Sequence, residues 1–402
     1  MQRTCKIVVV SQHYAPDPST TAIFMTAIAE HLAEDSPVVV FSGMSGSAAT
    51  ATEGPGCPRV VEIRNWIPAK AALVKRATAE VLFSMRVFFV MLTQLRRGDV
   101  VLTVTAPFML PYTVVAAAWL RRARSILILH DLFPDVLIMS GLMRPRSVIA
   151  TVIHAANALL YRALSAVIII GRDTPRLLRR YKAATPEKIC FIPNWATLPI
   201  GLQPIDASNR YRRLCQRRFV VGLSGNLGFT HDPSIVFEAA RILRDVDDIA
   251  FLLSGWGTGF QRLQALQAEA KLPNVVLVDR VPETDLAELL AAADLWIIPY
   301  RKSAAGVSVP SRFYNLLAIG RAVAIVSEPS AEAAVTIREH DIGWVVPPGD
   351  PAELAATIQA AAASGEARTK GERAVAVAGQ YSFGQAMTSY RNLVHGLLEN
   401  PI

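Results

Sequence analysis

Cysteine is scarce in this sequence of 402 residues, and the four present, Cys5, Cys57, Cys190 and Cys215, lie far apart without a C-x-x-C pair. That spacing indicates neither a disulfide framework nor a zinc site. Only a few residues precede the first strand-like run at Lys6, too few for a cleavable secretory signal, so we expect a cytoplasmic protein.

Uninterrupted apolar runs are also missing. Arg86 breaks the run at residues 81–95, and Pro107 and Pro111 interrupt residues 106–120, so no stretch reaches the roughly 18–20 apolar residues of a spanning helix. The G-x-G-x-x-G fingerprint and the Walker lysine are absent, which argues against a nicotinamide enzyme. Basic residues outnumber acidic ones by 41 to 33, but they alternate with apolar stretches and form no nucleic-acid-binding module. We therefore expect no nucleic-acid partner.

The basic residues concentrate between Arg59 and Arg97, where eight stand against two acidic residues. Lys75, Arg86 and Arg97 are eleven residues apart, and at about 100° per residue each step turns only about 20°, which aligns them on one face of a helix predicted over residues 69–97. Three apolar residues flank that face: Phe83, Phe89 and Val90. Such a pattern is typical of a helix in a membrane interface, and we expect contact with an anionic membrane surface. The alternative is a core helix whose few charges face solvent.

Short apolar runs alternate with helical stretches through most of the chain, the pattern of parallel sheets covered by helices on both faces. The alternation lapses after residue 197, five arginines follow between residues 210 and 218, and a new strand is predicted from Phe219. We expect an α/β protein of two doubly wound, Rossmann-like domains. The first covers residues 1–200 and is completed by a C-terminal helix at 383–400; a basic linker covers 201–218, and the second domain covers 219–382.

Small-residue loops follow strands of the predicted second domain and let the backbone approach a ligand closely. They cover residues 225–228, 255–257 and 306–308. The third loop leads through Pro310 into an apolar helix that begins near Ser311 and ends at Gly320. Backbone amides at such a helix start favour a phosphate, and Arg312 adds charged donors in the first turn. An ordinary helix start in an α/β domain is the alternative.

His130 and Asp131 stand at the end of another predicted strand, where open α/β sheets place their ligands. The pair could serve in catalysis or in substrate binding, although a histidine at a strand end is often structural. No metal site stands out in the sequence, so we expect no metal and no other cofactor.

Taken in order, these segments resemble family 4 of the glycosyltransferases over nearly the whole chain. The resemblance rests on residues 192–194, 225–228, 255–257, 274–282 and 310–320, and the Pro-Ser-Arg, His-Asp-Leu-Phe-Pro-Asp and Pro-Asn-Trp segments look most like the branch of colanic acid and O-antigen enzymes. It implies a GT-B fold, with two Rossmann-like domains facing each other across a cleft. It also implies a retaining, metal-independent, hexosyltransferase-type enzyme of bacterial exopolysaccharide or O-antigen synthesis. The donor would be a nucleotide sugar, and the acceptor a polyprenyl-diphosphate-linked saccharide at the inner face of the cell membrane.

The resemblance implies roles for single residues as well. Arg312 would neutralise the leaving diphosphate, His130 would contact the donor sugar from the opposite domain, and Asp131 stands beside it as a second catalytic candidate. The implied donor-binding residues are Gly225, Asn226, Leu227 and Gly228 for the diphosphate, Arg280 and Val281 for the base, Gly306, Val307 and Ser308 for the sugar and its phosphate, and also Gly255, Ser311 and Asn315.

The sequence departs from the family where many members carry two glutamates. Val307 and Asn315 occupy those positions; Asn315 can still hydrogen-bond a ribose hydroxyl, but Val307 offers only its backbone. The basic residue that often follows the first glycine loop is also missing, with His231 nearby, which puts diphosphate binding more heavily on Arg312 and on helix N-termini. Two alternatives stay open: a sugar-nucleotide epimerase of the same fold, and a non-catalytic scaffold of a polysaccharide assembly complex.

Overall fold

A computed structural model describes residues 5–51, 54–66, 68 and 73–399 of the chain. The described residues divide into two compact units. The first takes in the chain up to Pro134, Pro145–Pro193 and the residues from Gly384 onward, and the second takes in Asp135–Arg144 and Asn194–Phe383.

Each unit is built on a parallel sheet of apolar, largely buried strands. Those of the first unit are β1 (Ile7–Ser11), β2 (Val38–Ser42), β3 (Arg59–Glu62), β4 (Val100–Val104), β5 (Arg124–Leu129), β6 (Ala166–Ile169) and β7 (Ile189–Phe191). Those of the second unit are β8 (Phe219–Asn226), β9 (Ile249–Trp256), β10 (Val275–Asp279), β11 (Leu295–Pro299), β12 (Ala322–Val326) and β13 (Gly343–Val346).

Both sheets reverse their winding direction at the first strand of the unit. The strand order within the described residues is β3-β2-β1-β4-β5-β6-β7 in the first sheet and β10-β9-β8-β11-β12-β13 in the second, and every strand pair is parallel. Such a reversal leaves a crevice at the carboxyl ends of the two strands beside it. The predicted pair of doubly wound, Rossmann-like domains is confirmed, although β3 and β13 were not among the predicted strands.

Helices connect the strands. They are α1 (Thr20–Ala33), α2 (Ser47–Thr50), α3 (Leu73–Gln94), α4 (Leu110–Leu120), α5 (Asp135–Met139), α6 (Val148–Ala163), α7 (Pro175–Leu178), α8 (Arg210–Cys215), α9 (Ser234–Ile242), α10 (Thr258–Ala270), α11 (Leu286–Ala291), α12 (Ser311–Ala318), α13 (Glu332–His340), α14 (Pro351–Ser364), α15 (Glu366–Ala378) and α16 (Phe383–Glu399). Helix α16 packs on the first unit, where Met387, Tyr390 and Val394 are buried and Arg391 forms ion pairs with Glu34 and Asp35.

The predicted helix with a basic face differs from α3 in two respects. Helix α3 ends at Gln94, so Arg97 lies beyond it and does not share a helical face with Lys75 and Arg86. Phe83, predicted to border the basic face, is fully buried in the core of the first unit, because it lies on the side of α3 that faces the sheet. The predicted start of this helix, residues 69–72, lies outside the described residues.

The stretch predicted as a basic linker, residues 201–218, lies within the second unit. Its arginines are not without acidic partners, because three of them reach carboxylates elsewhere in that unit. Arg210 pairs with Asp285 and Glu288, Arg212 with Asp294 and Arg217 with Asp247. These ion pairs could not be predicted from the sequence because the partners lie 30 or more residues apart along the chain.

Arg321 holds the start of this stretch against the body of the second unit. It is 2% exposed, and its guanidinium donates to the carbonyl oxygens of Gln203 (2.9 Å) and Ala291 (3.0 Å) and, at 3.5 Å, of Pro204. Burial lowers the pKa of this guanidinium to about 10, so it stays charged at neutral pH.

Replacing Arg321 with methionine should lower the free energy of unfolding by about 2–4 kcal/mol, because several buried carbonyl oxygens lose their donor. Arg338→Met is the matched control, since Arg338 is exposed in the same unit. Urea unfolding followed by circular dichroism measures both. Equal stability of the two variants would contradict this role for Arg321.

Candidate nucleotide-sugar site

Strands β8 and β9 stay paired up to the loops that were predicted to bind the donor. The pairing extends to Gly225 opposite Gly255 and Asn226 opposite Trp256, and the amide of Leu227 donates to the Trp256 carbonyl at 2.9 Å. A Cβ atom added to Gly255 would lie 2.4 Å from the Gly225 carbonyl oxygen. Glycine at position 255 is therefore required by the packing of two backbones, whether or not a ligand lies nearby.

Arg280 and Trp256 stack on each other at the carboxyl ends of β10 and β9. The Arg280 guanidinium carbon lies 4.5 Å from the centroid of the Trp256 ring, a cation–π contact. Arg280 is exposed and Val281 next to it is partly buried. The stack forms a flat, polarised surface beside the glycine loops. Trp256 was not among the predicted site residues, although its position inside a glycine turn at a strand end is a signal that could have identified it.

The loop before α12 is held by its own backbone. Gly306 has a φ of +79°, the Val307 amide donates to the Ala304 carbonyl at 3.0 Å, and the Tyr300 hydroxyl donates to the Ser308 carbonyl at 3.2 Å. Val307 is buried, and the backbone amide that the sequence left for a ligand is already bonded. Ser311, partly buried, is the first residue of α12, and no side chain caps this helix.

Arg312, in the first turn of α12, is a desolvated cation. Its Nε is buried and makes no hydrogen bond to any residue that the structure describes. Burial lowers the pKa of the guanidinium, and the charge of Glu283 opposes that shift. A buried charge without a hydrogen-bonded counter-charge is costly, so an anionic ligand would satisfy this group.

Asn315 has a structural role that the sequence did not predict. Its Oδ1 accepts hydrogen bonds from the amides of Thr197 (2.7 Å) and Leu198 (3.3 Å), and its Nδ2 donates to the Thr197 hydroxyl at 3.0 Å. The side chain is 6% exposed. Residues 197–198 already occupy its oxygen and one amide hydrogen, and the hydrogen bond from Asn315 to a ribose hydroxyl stays a prediction.

His130 and Asp131 follow β5 in the first unit. Both backbone amides donate to the Thr105 hydroxyl, at 3.2 and 3.1 Å, which fixes the turn, and the His130 ring packs edge-on against Phe24. Burial lowers the pKa of His130 to about 4, so the imidazole is neutral at physiological pH. It can donate or accept a hydrogen bond there but carries no charge. The catalytic role predicted for the pair stays a prediction.

Comparison with known proteins gives this architecture a family. Residues 218–364 match the family model described as glycosyl transferases group 1, and residues 19–195 match the glycosyl transferase 4-like domain. Over 294 residues, 72% of each chain, the sequence is 28% identical to the probable glycosyltransferase WbjE of Pseudomonas aeruginosa. It is 24% identical to the putative colanic acid biosynthesis glycosyl transferase WcaI of Escherichia coli (strain K12), over 66% of this chain and 67% of WcaI.

A solved structure matches along nearly the whole length. Anabaena HepE in complex with UDP-glucose superposes with a TM-score of 0.68 at 18% identity, covering 97% of this chain and 99% of HepE. The two Rossmann-like domains and their matched families define a glycosyltransferase of the GT-B fold. More narrowly, the chain belongs to family 4 of the glycosyltransferases, and the resemblance drawn from its motifs is confirmed.

Asn315→Ala should lower the free energy of unfolding by about 1–3 kcal/mol, because the buried amides of Thr197 and Leu198 lose their acceptor. Asn315→Asp keeps an oxygen in the same place and should lose less. Chemical denaturation of both variants measures the difference, and an alanine variant as stable as the wild type would refute the structural role.

Proposed function

We propose that the enzyme transfers a sugar, with retention of configuration and without a metal, from a nucleoside-diphosphate sugar to a polyprenyl-diphosphate-linked saccharide. The observation that carries the proposal is the partly buried Arg312 side chain, whose buried Nε has no hydrogen-bond partner among the described residues, at the uncapped start of α12. In a glycosyltransferase, the anion that such a group would bind is the diphosphate of the donor. HepE, which shares the fold, was solved with UDP-glucose.

The chemistry gives Arg312 its role. The bond between the anomeric carbon and the phosphate oxygen breaks, and its electron pair stays on the leaving diphosphate. The acceptor hydroxyl oxygen bonds to the anomeric carbon on the same face, and its proton goes to a phosphate oxygen of the donor. Negative charge therefore grows on the diphosphate, and fixed donors that bind this charge best in the transition state lower the barrier.

The branch of the family suggests the acceptor. WcaI is named for colanic acid biosynthesis, and in this proposal the first unit binds a lipid-linked saccharide as the acceptor of a polysaccharide pathway. The second unit binds the nucleotide sugar, with its base beside the stacked pair Arg280 and Trp256. The neutral His130 would act as a hydrogen-bonding group toward substrate, not as a charged acid.

A donor screen followed by a transfer assay tests the proposal. One nucleoside-diphosphate sugar should raise the melting temperature of the wild type, and the same compound should be consumed only when a polyprenyl-diphosphate-linked acceptor is added. Arg312→Ala should then lower kcat/KM by about 10²–10³-fold, the usual cost of removing one donor that stabilises developing charge. Arg244→Ala, which removes an exposed arginine of the same unit, is the control and should leave kcat/KM unchanged.

The other outcomes separate the alternatives. Conversion of the donor without an acceptor would indicate an epimerase, and binding without turnover by any acceptor would indicate a scaffold. Full activity of Arg312→Ala would remove the central role of this residue while leaving transfer itself established.

We also propose that α3 and α6 contact the membrane surface from which such an acceptor projects. On α3, Lys75 and Arg86 are exposed beside Leu82 (48% exposed) and Phe89 (60%). On α6, Val148 is 80% exposed, and three more apolar residues of that helix are also exposed: Ile149, Val152 and Leu159. Helix α4 packs against both helices, which makes them neighbours in one layer of the first unit.

Residues 75–94 of α3 are long and apolar enough to cross a membrane by length and composition. Phe83, Val87 and Met91 are nevertheless fully buried in the core of the first unit. Since α3 cannot both fill this core and be surrounded by lipid, we place only its outer face in the interface.

Reversing the charge of Lys75 and Arg86 to glutamate should reduce cosedimentation with anionic vesicles several-fold, since each basic residue near such a surface contributes about 1 kcal/mol. Arg241→Glu with Arg244→Glu changes the net charge equally on the other unit and should have little effect. Leu82→Gln with Phe89→Gln tests the apolar part without changing charge. Unchanged sedimentation of the Lys75/Arg86 variant would rule out the basic face of α3 as the contact.

A further inference from the structure

A cavity of about 210 Å³ lies in the second unit at the carboxyl ends of the central strands. Its walls are the loop after β8, the first turns of α9 and α10, the latter with Arg262, and the residues Ser140 and Arg301. Arg301 comes two residues after β11. The cavity therefore occupies the crevice that the winding reversal between β8 and β11 leaves open. Arg312 does not line it.

Hydrogen bonds hold Arg301 on the glycine-bearing loop that follows β8. Its backbone amide donates to the Thr230 carbonyl at 2.9 Å, and its Nε donates to the His231 carbonyl at 3.0 Å. The Nε bond uses one edge of the guanidinium, and the two bonds together hold Arg301 over the loop. His231 and Tyr300 also form an isolated antiparallel β-bridge, and their rings pack against each other.

The charge of the cavity is carried by arginine and not by histidine. Burial, helped by the charge of Arg301, lowers the pKa of His231 to about 4, so this residue is neutral at physiological pH. The one acidic residue among the described residues lining the cavity is Asp232, whose Oδ1 accepts the Ser234 amide at 3.2 Å. Against it stand the two guanidinium groups of Arg262 and Arg301.

A hydroxyl in the wall is left unsatisfied. Ser234 lines the cavity, and its Oγ is buried without a hydrogen-bond partner among the described residues. Buried hydroxyls in native proteins are nearly always bonded, and a ligand atom that accepts a hydrogen bond would satisfy this one. Phosphate oxygens are such acceptors, and arginine binds them with two parallel hydrogen bonds.

We propose that this cavity binds the phosphate groups of the donor and that Arg301, assisted by Arg262 and Ser234, is the residue that holds them. The inference rests on the proposed function, to which it adds a division of labour. Arg301 replaces the basic residue missing after the first glycine loop and binds the donor in the ground state. Arg312 is left to stabilise the charge that grows on the leaving group.

Isothermal titration with inorganic pyrophosphate tests the cavity without requiring knowledge of the base or the sugar. Arg301→Gln keeps a donor for the His231 carbonyl but removes the charge, and it should weaken pyrophosphate binding by about 10–100-fold, the usual effect of losing a charged hydrogen bond. Arg262→Gln should weaken binding less, because Arg262 is exposed to solvent. Arg241→Gln, at the far end of α9 and paired with Glu238, is the matched control and should bind as the wild type does.

A second titration uses the nucleoside diphosphate of the best donor and its parent nucleoside. Arg301→Gln should weaken the diphosphate and leave the nucleoside unchanged; equal losses for both would place Arg301 at the base and overturn the proposal. In the transfer assay, Arg301→Gln should raise the KM for the donor with kcat nearly unchanged. Arg301→Lys, which restores the charge, should recover part of the affinity.

The outcomes distinguish this inference from the proposed function. Unchanged pyrophosphate affinity in Arg301→Gln, or no pyrophosphate binding by the wild type, would overturn the cavity assignment even if the enzyme transfers sugar. Pyrophosphate binding that depends on Arg301, in a protein that turns over no nucleotide sugar, would keep the anion cavity and remove the glycosyltransferase proposal. If Arg301→Gln does not fold, pyrophosphate titration of Arg262→Gln and Ser234→Ala tests the cavity through its other lining residues.

Discussion

The close parallel pairing of β8 with β9 is the constraint on which the candidate donor site depends. The two strands stay in register to Asn226 and Trp256, and the Gly255 backbone lies against the Gly225 carbonyl with no room for a side chain. Because the strands end together, their loops, the stacked Trp256 and Arg280, and the cavity beside α9 and α10 all lie at one edge of the sheet. A shift in this pairing would separate the groups proposed to bind the base from those proposed to bind phosphate.

Several polar groups near this edge are already hydrogen-bonded within the fold. Asn315 satisfies residues 197–198, the Val307 amide bonds to Ala304, and Arg321 fixes the stretch around Gln203. What remains unsatisfied is more informative, because buried polar atoms without partners are rare. The Arg312 Nε and the Ser234 Oγ are two such atoms, and both belong to residues at the start of a helix at the carboxyl edge of the second sheet.

The basic residues of the two units have different surroundings. Arginines of residues 201–218 pair with acids of the second unit and so contribute to its stability, whereas Lys75 and Arg86 of the first unit stay exposed beside apolar residues. His130 at the end of β5 and His231 in the loop after β8 are both neutral, because burial disfavours the protonated ring. Positive charge at the candidate donor site therefore comes from guanidinium groups, which keep their charge when partly buried.

The sequence by itself determined the α/β class, the two domains, the family and the strand-end position of His130, because apolar periodicity and glycine-bearing loops are local properties of the chain. It placed most strands correctly but missed β3 and β13, which are short and only partly buried. Only the tertiary structure decided which polar groups are already bonded. Asn315 and Thr197 are 118 residues apart, and Arg301 and His231 are 70 apart, so no spacing rule could pair them. For the same reason the cavity, the neutral His231 and the end of α3 before Arg97 came from the folded chain, where burial and contact set charge and hydrogen bonding.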